Sequence, residues 1–128
     1  MSVARNYVEL MSLHCGKTLA KMDGRTRQDW ENDENLRDAV CMRLMSLTDC
    51  IKEYLKETPS VTERFPHIPW DNIVRFRDKI AHHYEGIDYD LIWEILESDI
   101  TPLHEAIKNL ARDDAELLPA HPQDRDAV

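Results

Sequence analysis

The chain has no apolar run approaching the ~18–20 residues of a membrane-spanning helix, and its N-terminus lacks the apolar stretch of a signal peptide. Those two absences predict a cytoplasmic protein with no membrane contact. Glycine is scarce, at Gly16, Gly24 and Gly86 only, and no alternating apolar–polar pattern runs for more than a few residues, so strands are not expected. The three cysteines, Cys15, Cys41 and Cys50, form no CxxC spacing and each falls in a helical stretch. They read as buried reduced thiols rather than as a disulfide or zinc set. Positive charge is also in deficit: 16 Lys and Arg stand against 25 Asp and Glu, a net charge of −9. That balance argues against a protein that grips nucleic acid by bulk electrostatics.

What is present is helical periodicity. With 128 residues, 42% hydrophobic and 32% charged, the chain reads as one folded domain over 1–113 followed by a polar, flexible tail over 114–128. A first helix is expected over 3–22, with Val3, Tyr7, Leu10, Met11 and Leu19 on its core side and Asp23-Gly24 ending it. A short turn near Thr26–Glu31 brings in Trp30 as a cap on the core. The second helix, 34–57, carries Leu36, Val40, Leu44, Leu47, Ile51 and Leu55 at i+3/i+4 spacing. Pro59, Pro66 and Pro69 then predict an irregular loop.

Pro69 suits the first position of a third helix, which places Trp70, Ile73, Phe76 and Ile80 inward and runs out near Tyr84. A fourth helix over 89–111 follows Asp88, and Pro102 is expected to kink or split it. The predicted architecture is all-α, a four-helix bundle with short extra turns.

Charge along the chain is uneven. Segment 75–83 holds Arg75, Arg77, Lys79, His82 and His83 against Asp78 alone, whereas 85–105 holds seven acidic residues and no Lys or Arg. Within the first of these, Arg77-Asp78-Lys79-Ile80-Ala81-His82-His83-Tyr84 forms an Arg-x4-His-x-Tyr arrangement. It gathers a permanent cation, an imidazole that titrates near neutrality and a modifiable phenol.

Histidine can move protons, and a guanidinium can hold phosphate in two-point fashion. Together they suit attack of an RNA 2′-hydroxyl on its own phosphodiester, which supplies the nucleophile without a metal ion or other cofactor. Asp78 and His82 share a helical face, so Asp78 can orient the imidazole. Arg77 and His82, five apart, sit about 140° apart around a regular helix. They converge only if the helix ends near His82 or a second copy completes the site. On these residues alone, a solvated polar helix end and an active site both stand as readings.

A longer pattern surrounds the motif: Ile68-Pro69-Trp70-Asp71-Asn72-Ile73 before it, and Gly86-Ile87-Asp88-Tyr89-Asp90-Leu91-Ile92-Trp93 after it. The combination resembles HepT toxins of the HEPN superfamily, in detail over about 25 residues and in helix order over most of the chain. The resemblance implies a metal-independent endoribonuclease of a toxin–antitoxin system, acting on tRNA or messenger RNA, with Arg77 and His82 catalytic and Asp78 supporting. It implies a homodimer whose two copies line one cleft, and an MNT-type nucleotidyltransferase antitoxin that silences the toxin by transferring AMP to Tyr84.

Asp78 stands where many members carry Asn, and His83 where a small residue is common. Arg75, Lys79 and His83 are further candidates for RNA contact. The alternative from another class is a HEPN interaction module that binds a nucleotidyltransferase or nucleotide and cuts nothing, a reading the acidic balance favours.

Overall fold

The computed structural model describes residues 3–82 and 86–117, with side chains described over 5–77 and 86–113. The chain is all-α: among the described residues it forms seven helices and no strand. They are α1 (Val3–Met22), α2 (Arg27–Asn32), α3 (Glu34–Glu57), α4 (Val61–Arg64), α5 (Trp70–His82), α6 (Tyr89–Ser98) and α7 (Ile100–Leu117). Helix α1 packs against α3 and α7, α3 also packs against α5, and α6 packs against α7. The short α2 bridges α3 and α6. The result is a HEPN-type bundle in which α6 and α7 share the place of the expected fourth helix.

Local chemistry accounts for most helix ends. Gly24 adopts φ +71°, the left-handed conformation that closes a helix and that glycine tolerates at no steric cost. Thr26 opens α2 with a reciprocal capping box: its Oγ1 accepts from the Asp29 N–H (3.1 Å), and the Asp29 carboxylate accepts from the Thr26 N–H (2.9 Å). Asp33 opens α3 by accepting from the Leu36 N–H at 3.0 Å.

The core is a single cluster centred on Met11, Trp30, Val40, Leu44, Leu47, Ile51, Leu103 and Ile107. Cys15 and Cys41 lie buried in it and Cys50 half-buried beside it, all three as free thiols. Burial pushes the Cys15 thiol up to about 12; burial, with a smaller contribution from Asp38, pushes Cys41 up to about 11.

Four expectations need correcting. Leu10 does not face the core but is 41% exposed; Val8, Met11, Cys15 and Thr18 form the buried stripe of α1 instead. The loop after α3 is not wholly irregular, because Val61–Arg64 forms one helical turn that buries Val61 against the core. Helix α5 begins at Trp70, with Pro69 just outside and its carbonyl accepting the Ile73 N–H at 3.0 Å.

The break in the last helical stretch falls at Asp99, not at Pro102. Pro102 lies in the first turn of α7, where a missing N–H costs no helical hydrogen bond, so the chain breaks just ahead of the proline. Helix α7 then continues past 113 to Leu117, beyond the expected helix end. The rest of the predicted tail, 118–128, lies outside the described residues.

Candidate active site

Helix α5 starts as an amphipathic core helix. Trp70, Ile73 and Phe76 are buried, and Trp70 Nε1 donates to the Phe65 carbonyl at 3.0 Å, tying the start of the helix to the preceding loop. From Arg77 onward the sequence turns polar, and the helix runs to His82. The three residues that follow His82 lie outside the described residues, and with them the expected helix end. Around a regular helix the Arg77 and His82 positions are about 140° apart.

Arg77 reaches toward α3. Its Nε donates to Asp49 Oδ1 at 2.9 Å, across 28 positions of sequence, and the two side chains are 36% and 54% exposed. Arg75 goes elsewhere. It is exposed and, with Asn72, Phe76, Leu91, Glu94, Ile95, Ser98 and Asp99, lines a groove of about 450 Å³ between α5 and α6. Two residues apart on a helix means about 200° of rotation, so the two arginines serve opposite sides of α5. Burial raises the Asp99 carboxyl above its usual range in that groove.

Asp78, Lys79 and His82 lie in the helical backbone of α5, with side chains outside the described residues; His83 and Tyr84 lie outside them altogether. Among the described residues, no three His, Cys, Asp or Glu side chains gather where a metal ion could be held.

Where the chain is again described, beyond 85, it is firmly anchored. Asp88 Oδ1 accepts from the N–H groups of Asp90 and Leu91, both at 3.1 Å, and so caps α6. Trp30, fully buried, donates its indole N–H to the Tyr89 carbonyl at 2.8 Å and packs edge-on to the Tyr89 ring, with centroids 6.1 Å apart. The Arg37 guanidinium lies 4.8 Å from the centre of that ring, and its Nη1 donates to the carbonyls of Trp30 and Glu31. Arg27 bonds Asp90 at 2.8 Å.

The Arg-x4-His-x-Tyr segment is thus bounded by α5 on one side and by a fixed start of α6 on the other. Sequence reading expected Trp30 as a cap but missed the Arg37–Tyr89 contact and the Asp49–Arg77 pair. Cation and ring in the first case, and carboxylate and cation in the second, lie too far apart in sequence to be matched.

The exposed large hydrophobics among the described residues are Leu10 (41%), Leu13 (47%) and Met42 (65%), on the two packed helices α1 and α3. Leu10, Leu13, Lys17 and Lys21 follow helical spacing on α1, and Lys21, Ala39, Met42, Arg43 and Ser46 line a shallow groove between the helices. Met42 and Asp49 are seven apart on α3, two helical turns along one stripe.

The profile of the family described as "Ribonuclease HepT-like" matches residues 8–110. The chain belongs to the HepT-like ribonuclease family of the HEPN superfamily. Several relatives match over most of their own length. "Putative RNase MJ0127" of Methanocaldococcus jannaschii is 34% identical over 92 residues, covering 67% of this chain and 76% of that protein. "Putative RNase TTE0752" of Caldanaerobacter subterraneus is 28% identical over 110 residues, covering 86% and 96%. "Probable ribonuclease HepT" of Thermococcus cleftensis is 31% identical over 86 residues, covering 66% and 74%. No solved structure matches this HepT-like chain. No helix among the described residues is long and apolar enough to cross a membrane.

Proposed function

We propose that this HepT-like chain is a metal-independent endoribonuclease and the toxin of a toxin–antitoxin pair. The observation that carries the reading is Arg77. A guanidinium at the surface, held by a hydrogen bond from its inner nitrogen, sits five positions before the motif histidine, in a chain of a ribonuclease family.

In the proposed reaction the His82 imidazole takes the proton of an RNA 2′-hydroxyl. The 2′-oxygen attacks the adjacent phosphorus, the bond from phosphorus to the 5′-oxygen breaks, and a protonated imidazole returns a proton to that oxygen. The products are a 2′,3′-cyclic phosphate and a 5′-hydroxyl. Arg77 stabilises the negative charge that builds on the non-bridging oxygens. Asp78 orients His82, and Arg75, Lys79 and His83 add RNA contacts; of these, Arg75 serves a strand running along the α6 side of α5.

The angular separation of Arg77 and His82 on one helix favours a site completed by a second copy. Leu10 and Leu13 on α1 and Met42 on α3 are exposed apolar side chains that such a copy could cover. The antitoxin in this reading is an MNT-type nucleotidyltransferase: the Tyr84 oxygen attacks the α-phosphorus of ATP, and pyrophosphate leaves. The added charge and bulk, two residues from the base, exclude RNA. The net charge of −9 favours a second reading, a binding module without cleavage.

Incubation of the unmodified protein with mixed RNA in excess EDTA separates the two. Fragments ending in 2′,3′-cyclic phosphate, absent with His82→Ala, are expected. A folded wild type that cuts nothing would leave the binding module.

A further inference from the structure

From the α3–α5 contact we infer that Asp49 is the positioning residue of the active-site arginine. The inference rests on the ribonuclease reading and extends it to a residue outside the motif. Arg77 Nε donates to Asp49 Oδ1 at 2.9 Å, and both side chains are substantially exposed. An exposed ion pair of this kind contributes on the order of 0–1 kcal/mol to folding, so stability does not account for the arrangement. The adjoining turns of α3 are held by Leu47 and Ile51, both fully buried, without help from the pair.

What the contact does is orient. A guanidinium is a rigid plane, and a carboxylate fixed at Nε sets that plane and turns the far edge of the fork, the two Nη amines, away from Asp49. That far edge is the one suited to two-point contact with a phosphate. Ordering a long arginine side chain before RNA arrives removes that entropy cost from the transition state, and the Asp49 contact contributes to that order. The carboxylate also imposes a charge cost, because it repels phosphate. A role in positioning therefore predicts opposite effects on turnover and on binding, which a structural role does not.

The test uses the full chain, unmodified, cleaving one RNA substrate in EDTA, with kcat and KM measured separately. Arg77→Ala should abolish cleavage. Asp49→Ala should lower kcat by about ten- to a hundredfold, the scale on which a misplaced catalytic group slows an enzyme, while KM stays level or falls. Asp49→Asn, whose side-chain oxygen still accepts from Nε, should recover most of the lost kcat. Melting temperatures of the two Asp49 variants should match the wild type.

If Arg77→Ala is dead and Asp49→Ala turns over as fast as the wild type or faster, Asp49 does not position the arginine and the inference falls alone. Equal losses in the Ala and Asn variants would overturn it as well. An Arg77→Ala protein that cleaves normally would remove Arg77 from the active site, and the inference with it; a folded wild type that cuts nothing would remove the ribonuclease reading.

Discussion

Among the arginine contacts that link distant parts of the chain, those of Arg37 and Arg77 stand in the sharpest contrast. Arg37 lies against the Tyr89 ring and the carbonyls of Trp30 and Glu31, beside a fully buried indole that itself bonds the Tyr89 carbonyl. Arg77 lies at the surface, bonded to a carboxylate that is itself more than half exposed. The first contact is embedded in aromatic packing and fixes where α6 begins. The second stabilises little, yet stands five residues before the histidine position on which the proposed chemistry depends. Polar groups that build a fold are shielded from water; polar groups held for a ligand are ordered but left accessible.

Mutation of the two regions should separate cleanly. Trp30→Ala removes a buried ring and leaves the Tyr89 carbonyl without its indole partner, so a loss of about 3–5 kcal/mol is expected in denaturant melts. A loss below about 1 kcal/mol would make the α2–α6 clamp an ornament. Arg77→Ala, by contrast, should shift stability by no more than about 1 kcal/mol. His82→Ala should relieve growth inhibition in cells while the circular dichroism spectrum stays native.

A smaller effect is expected at the cap that begins the clamp. Thr26→Ala should cost about 1 kcal/mol, read as a lower melting temperature, because the Asp29 N–H loses its acceptor.

Acid should weaken the fold through histidines of α1 and α7. Burial, and then the nearby Arg43, lower the His14 pKa below its usual 6.5; burial, and then Lys108, lower that of His104. Arg43 Nη1 lies 3.1 Å from His14 Nδ1, a contact that suits only the neutral ring. For a histidine whose folded pKa is depressed, the unfolded chain binds more protons. Stability is then fully present above the unfolded value near 6.5 and declines as pH falls below it. His14→Gln should flatten that decline in thermal melts between about pH 7 and 5. An unchanged slope would show that His14 does not contribute.

The smallest change is expected at the motif tyrosine. Tyr84→Phe should cut RNA at the wild-type rate yet resist silencing by an AMP-transferring partner. Silencing that persists would exclude Tyr84 as the acceptor.

How much of this was legible beforehand follows from the range over which each signal acts. The bounds of α3 could be read because six apolar residues repeat at helical spacing between an Asp cap and a Pro-containing stop. The break at Asp99 was placed three residues late, since proline announces itself in sequence while the carbonyl its ring would strike belongs to an earlier residue. Leu10 was assigned to the core on hydrophobicity alone; its position on the surface stripe of α1 is set by packing against α3 and α7.

At the site, the motif was local and visible. The divergence of Arg75 from Arg77 follows from helical geometry alone. Asp49 could not be singled out, because nothing in its own neighbourhood marks it and its partner is 28 positions away. The side chains of Asp78, Lys79 and His82, and all of His83 and Tyr84, lie outside the described residues.

The most direct measurement takes cleavage rate and melting temperature from the same preparations of wild type and Arg77→Ala, in EDTA, with product ends identified. Cleavage to 2′,3′-cyclic phosphate that disappears in the variant, at an unchanged melting temperature, is the expected result. Equal cleavage by both proteins, or loss of cleavage only together with loss of the fold, would contradict a catalytic role for this exposed arginine.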